Sequence, residues 1–357
     1  MPSSTVDAGR APGAHPAFAP DNPFLQIAWD ATSLELLMRD PFTYFCVVIE
    51  GWRMPYPSAA QLFGRLYHEC CGIYCGNRLN GKGHDMALDQ ALAYAISLAA
   101  AGDTPPGEAA PMSLEEIAHA SARRGDRNQR DTYRLLRAVV WWCDTYGQDP
   151  KYTTIRLPSG RPALEVHFDF PLGFTVGGHD ARLCGHIDGL VRAETGELIV
   201  REWKHTTATA FSTYYFDRYK PNVQVNTYAL AGKLLLPGQP VRGVLVEACQ
   251  TAVTFSRFER EWIDRSEPHL DEWIECIHYQ VKNAQTLAIR AMDEAARGGD
   301  PSTPYAHAMN PSTMRQYGSN RFADAAFRIP RLRRAFLSSE MVRGERWDPT
   351  QARELDL

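Results

Sequence analysis

The chain has 357 residues, 22% of them charged and 44% hydrophobic, with a formal net charge of −4. That length can bury a full core in one large domain or two small ones. The charge balance excludes a protein that coats nucleic acid through bulk positive charge, though not a local basic groove, and no apolar run approaches the ~20 residues a membrane span needs, so no membrane partner is expected.

Residues 1–21 are rich in Pro, Ala, Gly and Ser without the basic start and apolar core of a signal peptide, which predicts a flexible tail. In Thr32-Ser-Leu-Glu-Leu-Leu-Met-Arg-Asp-Pro-Phe-Thr-Tyr-Phe45, Thr32 or Ser33 can cap a short helix that Pro41 interrupts or ends. Ala59 to Tyr74 is helical by pattern. Leu62, Leu66 and Ile73 form its apolar stripe, and Gly64 and His68 lie one turn apart on the same side. His68 reads as a hydrogen-bonded, partly buried side chain or, with Cys71 and Cys75 at i+3 and i+7, as part of a zinc site. A fourth ligand at familiar spacing is lacking, so small buried apolar side chains account better for those cysteines. The eight cysteines form no C-x-x-C, and reduced thiols in a cytoplasmic compartment are expected.

Residues 85–101 and 113–146 are Ala/Leu-rich and read as helices joined by the loop Gly102-Asp-Thr-Pro-Pro-Gly107. Ser113-Leu-Glu-Glu116 resembles a capping box. Arg123, Arg124, Arg127 and Arg130 make a basic stretch, either a solvated face or a phosphate contact. Trp141 and Trp142 read as packing residues. After Pro150 the period changes. Ala163 to Phe170 alternates strictly, with Leu164, Val166, Phe168 and Phe170 on one face and Glu165, His167 and Asp169 on the other, the pattern of a half-buried strand. Glu165 is a solvent-face residue or an additional carboxylate near a metal.

Residues 181–207 read as two strands joined by a turn at Glu194-Thr-Gly196. Asp188 is on the first strand, Glu202 and Lys204 on the second. Side chains two apart share a face, so Glu202 and Lys204 point together while Trp203 faces the other way. Pairing across the turn brings Asp188 within reach of Glu202. Two carboxylates and an ammonium then converge, which suits phosphodiester hydrolysis: Mg²⁺ is typically held by one or two carboxylates plus waters and substrate phosphate. A Glu/Lys pair on an exposed strand is the plain alternative.

Tyr215 to Leu236 reads as a helix with Pro221 in its first turn, and Gln224 and Tyr228 share a face. Val241–Ala248 and Ala252–Glu259 read as strands, and Glu267–Arg297 as a long amphipathic helix ended by Gly298-Gly299. Arg331-Leu-Arg-Arg334 is a basic stretch open to solvent, DNA or a partner.

Together, Gly64-x-x-x-His68, Gly185-His-Ile-Asp188-Gly, Glu202-Trp-Lys204 followed by Thr206-Thr207, and Gln224-x-x-x-Tyr228 resemble the PD-(D/E)XK nuclease superfamily, in its RecB-like and phage-exonuclease branch. The resemblance spans roughly residues 32–330, with the four motifs in the branch's order. It implies an α/β, restriction-endonuclease-like mixed β-sheet core (151–300) flanked by helices, with a helical N-terminal part (22–150) carrying His68. His68, Asp188, Glu202 and the Trp203 backbone carbonyl would bind Mg²⁺ or Mn²⁺. Lys204 would be catalytic, and Gln224 and Tyr228 would support the site or contact DNA.

Many members of this branch carry an iron–sulfur cluster. Here the four cluster positions hold Asp40, Met314, Asn320 and Ala326, none a thiolate, so no cluster is expected. Packing or hydrogen bonding would instead pin the C-terminal segment (301–357) onto the N-terminal helices. The implied function is a DNA nuclease, an exonuclease of recombination, repair or phage DNA processing, in a bacterial or phage-infected cell. DNA would be contacted by the Arg123–Arg130 stretch and Lys220, and a recombination or single-strand-binding protein would be a fitting partner. A catalytically silent DNA-binding scaffold on the same fold is the alternative; oligomeric state has no signal.

Overall fold

The computed structural model describes residues 15–55, 58–103, 110–123, 130–207, 214–310 and 321–352, the side chains of 121–123 apart. Residues 15–21, expected as tail, are packed instead. Ala17, Phe18 and Ala19 are buried, Phe18 bridges Gln26, and the Arg346 guanidinium lies 3.5 Å above the Phe18 ring. Residues 1–14 lie outside the described residues.

Strand β1 (Ala28–Trp29) leads into α1 (Ala31–Arg39), whose cap is Asp30 rather than Thr32 or Ser33. Asp30 Oδ1 accepts from Ser33 N at 2.9 Å and Ser33 Oγ accepts from Asp30 N at 3.1 Å, a reciprocal box with serine at N3. Pro41 ends that helix by opening the next, α2 (Pro41–Tyr44), which Asp40 caps. After β2 (Trp52–Arg53) come α3 (Ala59–Leu79) and α4 (His84–Ala101).

The span 113–146 is not one helix. The Ser113–Glu116 box opens α5 (Leu114–Arg123), and α6 (Thr132–Trp142) restarts at Asp131, which accepts from Arg134 N at 2.8 Å. Asp131 competes for the backbone amides that a continuous helix would use, and so supplies the break.

Then come β3 (Tyr152–Thr154), β4 (Leu164–Val176), β5 (His179–Ala193), β6 (Leu198–Thr206), α7 (Val223–Leu235), β7 (Val241–Thr251), β8 (Ser256–Asp264) and α8 (Glu267–Ala296). The C-terminal segment adds α9 (Thr303–His307), α10 (Arg321–Ala326), α11 (Pro330–Glu340) and β9 (Val342–Arg343). Among the described residues the main sheet has seven strands in the order β1-β5-β6-β7-β8, with β3 and β4 also paired to β5. It is mixed: β1–β5 and β6–β7 are parallel, the other pairs antiparallel. A parallel pair needs a crossover, and α7 provides it between β6 and β7.

Two boundaries differ from expectation. Helix α7 starts after Pro221, because Asn222 caps it by accepting from Val225 N at 3.0 Å; Phe216–Tyr219 is a separate 3-10 turn. Strand β8 starts at Ser256, because Ala252–Phe255 closes the turn (Ala252 N to Phe255 O, 2.9 Å). Arg137 of α6 donates to the carbonyls of Ala252, Val253 and Phe255.

One core joins the sheet to α1, α2, α7, α8 and the C-terminal segment; a second joins it to α3, α4 and α6. Each fully buried large side chain, such as Phe168 or Leu34, contributes roughly 1.5–3 kcal/mol. Helix α7 lies so close to the sheet that a Cβ on Gly232 would come within 2.5 Å of Val200 Cγ2. The C-terminal segment is tied down where Arg334 pairs with buried Glu50 at 2.7 Å and Trp347 donates to Asp30 at 3.2 Å. Of the four positions that the resemblance sets against cluster ligands, Asp40 caps α2 and accepts from Thr43 Oγ1 at 2.5 Å, and Ala326 is buried. Met314 and Asn320 lie outside the described residues. None of the eight cysteines forms a disulfide, and all except Cys276 are buried. Among the described residues no helix is long and apolar enough to cross a membrane.

Candidate active site

The β5–β6 ladder ends at the pair Gly189–Arg201, and one step further along this register sets Asp188 opposite Glu202. There a side chain takes over from the backbone ladder: Asp188 Oδ2 accepts from Trp203 N at 2.7 Å. A strand residue directs its N–H and C=O to the same edge, so the Trp203 carbonyl lies on the Asp188 side. Gly185, three residues before Asp188, has φ 148°, and a Cβ there would meet the Phe168 ring at 3.0 Å. The glycine of that motif is therefore required by the strand itself.

Helix α7 brings Gln224 against the second strand. Lys204 Nζ donates to Glu202 Oε1 at 2.5 Å and to Gln224 Oε1 at 2.7 Å, while Gln224 Nε2 donates to Glu202 Oε1 at 3.0 Å. The three side chains close a triangle around one carboxylate oxygen. The other, Glu202 Oε2, is buried without a hydrogen-bond partner. Tyr228, one turn beyond Gln224, packs edge-on against Phe168 with ring centroids 6.5 Å apart. Burial and the charges of Glu202 and Asp188 hold its phenol well above the usual range.

From the other side, α3 delivers His68, with Nδ1 3.3 Å from Asp188 Oδ2. Glu165 joins the group through β4. Leu164 pairs with Gly189 and Val166 with Ile187, which sets Glu165 across from Asp188. Its φ is 45°, the sole positive value at a non-glycine among the described residues, a conformation costing on the order of 1–3 kcal/mol. This kink breaks the strict alternation expected for the strand. Leu164 turns into the α3/α6 core, while Val166 and Phe168 stay in the other.

The electrostatics follow from burying several charges together. Burial, then the Asp188 charge, raises Glu165 to about 8 and Glu202 to about 7. Burial opposes the charged forms of Asp188, His68 and Lys204, but their partners outweigh it. The Asp188 carboxyl is lowered by His68, Lys204 and the Trp203 N–H; His68 is raised by Asp188, and Lys204 by Glu202. Lys204 therefore stays an ammonium.

Behind this cluster lies a support that the sequence reading missed. Trp203, fully buried, donates from Nε1 to Glu247 Oε2 at 3.1 Å and meets Trp142 edge-to-face at 5.8 Å. Glu247 is itself buried between Arg201 (3.7 Å) and Arg260 (3.5 Å). The signal was a single acid inside the apolar run Val244-Leu-Val-Glu-Ala248. His205 joins this seat for α3, with Nε2 2.7 Å from Thr251 Oγ1 and its ring 4.2 Å from that of Phe63.

The candidate DNA contacts divide. Arg130 donates to Thr207 Oγ1 at 2.9 Å, just beyond the end of β6. The Arg123 side chain, Arg124 and Arg127 lie outside the described residues. Lys220 is paired with Asp217 at 2.6 Å and Glu261 at 3.5 Å, so its charge is already balanced.

Among the described residues no three His, Cys, Asp or Glu side chains form a ready-made metal cage. Mg²⁺ does not need one, since it keeps several waters and uses one or two carboxylates. The donor set fits such an ion: Glu202 Oε2 is buried and unbonded, and Asp188 stands opposite it.

No family model matches this chain, and no curated protein matches it. Among solved structures it is similar to one described as "Crystal structure of SSO0001", at 13% identity and a TM-score of 0.24, over 45% of this chain and 62% of that one. The chain thus matches less than two thirds of that protein's length, and a likeness this distant carries no argument about function.

Proposed function

We propose that the chain is a Mg²⁺- or Mn²⁺-dependent deoxyribonuclease, an exonuclease on a restriction-endonuclease-like core. The observation that carries this reading is the meeting of Asp188, Glu202 and Lys204 at one point, with Glu202 Oε2 buried and unbonded. A buried carboxylate oxygen with no partner is costly unless something positive completes it. Asp188 and Glu202 would hold the ion, with the Trp203 carbonyl and His68 beside them; binding through His68 requires its imidazole to give up the proton it shares with Asp188.

A bound ion supplies Lewis acidity and neutralises charge developing on the scissile phosphate. Lys204, kept protonated by Glu202, orients the attacking water and offsets charge on a phosphate oxygen. Gln224 fixes the ammonium and the Glu202 carboxylate relative to each other. Tyr228 packs behind Gln224, and Arg130 is set to take a neighbouring phosphate.

The test is incubation with end-labelled linear and closed circular DNA in Mg²⁺, Mn²⁺ or EDTA. Metal-dependent loss of linear DNA alone supports the exonuclease, and loss of circles means an endonuclease. Retained DNA binding with no cleavage in either metal supports the silent scaffold instead.

A further inference from the structure

From the end of α10 into the first turn of α11, six consecutive residues, Phe327 to Leu332, are exposed. Three are large and apolar: Phe327 is 57% exposed, Ile329 50% and Leu332 48%. Single exposed apolar residues are ordinary, but three in six positions form a patch, and such patches mark interaction surfaces.

The two charged residues within this run, Arg328 and Arg331, are both positive. Among the described residues Arg331 has no ion pair, and Arg328 lies over the Phe336 ring at 4.9 Å without reaching an acid. Nearby acids are already engaged: Asp324 and Glu340 with Arg321, at 3.9 and 3.6 Å, and Glu50 with Arg334. Helix α11 also opens on Ile329, which has no side-chain oxygen to cap it, so its first turn adds to the positive potential. Apolar groups and uncompensated positive charge therefore alternate along Phe327-Arg-Ile-Pro-Arg-Leu332.

We propose that this surface docks a partner protein through an acidic segment carrying apolar side chains. Arg328 and Arg331 meet its carboxylates, and Phe327, Ile329 and Leu332 take its aliphatic or aromatic groups. Charge complementarity fixes the sign of the partner, and the apolar groups fix its class. A nucleic-acid backbone would satisfy the arginines but leave Ile329 and Leu332 without apolar partners. Arginine and aromatic residues are also those enriched at protein interfaces. The patch shares no residue with the candidate active site, so docking is read without cleavage.

The test is fluorescence anisotropy with the full chain in EDTA, using a labelled Asp-Leu-Asp-Phe-Asp-Leu peptide. The comparators are the same peptide with Ser replacing Leu and Phe, and a single-stranded oligothymidine. The apolar peptide should bind at least about tenfold tighter than its Ser counterpart. Arg328→Glu with Arg331→Glu should weaken it about tenfold or more, and Ile329→Ser with Leu332→Ser should do the same. Thermal midpoints should not fall below wild type, since all four side chains are exposed and a serine at position 329 can cap α11. Equal affinity for the two peptides, or no saturable binding of either, overturns the proposal. So does oligothymidine binding that the arginine variant abolishes while peptide binding is unchanged.

Discussion

Asp188 and Trp203 are joined by a 2.7 Å hydrogen bond from the Trp203 backbone N–H to the Asp188 carboxylate, at the point where β5 and β6 stop pairing. The same carboxylate oxygen faces His68 at 3.3 Å. One side chain thus closes the hairpin and anchors α3 over it, so Asp188 has a structural role besides any chemical one.

Substitution separates the two roles. Asp188→Asn keeps an acceptor for Trp203 and should fold near wild-type stability while losing divalent-cation binding. Asp188→Ala should also lose about 1–3 kcal/mol, the usual cost of leaving a buried donor unsatisfied. Chemical denaturation and Mn²⁺ calorimetry on both variants check this. Equal stability of the two would show that the Trp203 bond contributes little.

Stability of the metal-free chain should fall as pH rises from about 5 to about 8. Glu202 and Glu165 rise from 4.5 to about 7 and about 8 in the fold. In that window the unfolded chain has lost protons that the folded chain retains, so the slope is negative. His68, raised above 6.5, gives stability that is also lost as pH rises. Asp188, lowered from 3.8, acts oppositely, but only at more acidic pH. Thermal midpoints across pH in EDTA should show the decline, Glu202→Gln should flatten it, and Mn²⁺ should reverse it.

Gly64 lies one turn before His68, and a Cβ added there meets nothing within 4 Å. Gly64→Ala should therefore raise stability by about 0.5–1 kcal/mol, the helix-interior difference between the residues. If the open space over α3 receives the substrate backbone, the same change should raise KM for DNA. Improved stability with unchanged KM would remove Gly64 from the substrate path.

The site was legible where it depended on counting. Asp188 and Glu202 are set opposite each other by the Glu194-Thr-Gly196 turn, and Gln224 and Tyr228 share a face by helix period. What escaped depended on tertiary packing. The left-handed Glu165 has no local signature, and its kink carried Leu164 into the other core. The Ala/Leu content of 113–146 hid the restart at Asp131, and Thr32 and Ser33 drew attention from Asp30, which makes the cap. Glu247 is a single acid in an apolar strand whose partners, Trp203, Arg201 and Arg260, come from two other strands, so its role shows only in the fold.

Whether Asp188 and Glu202 hold an ion with which Lys204 cooperates is decided by single-turnover DNA cleavage with Lys204→Ala at saturating Mn²⁺. Losing one preorganised charged donor should slow cleavage on the order of 10²–10³-fold, with Mn²⁺ affinity within a few-fold of wild type. A Lys204→Ala protein that cleaves at the wild-type rate would remove Lys204 from the chemistry.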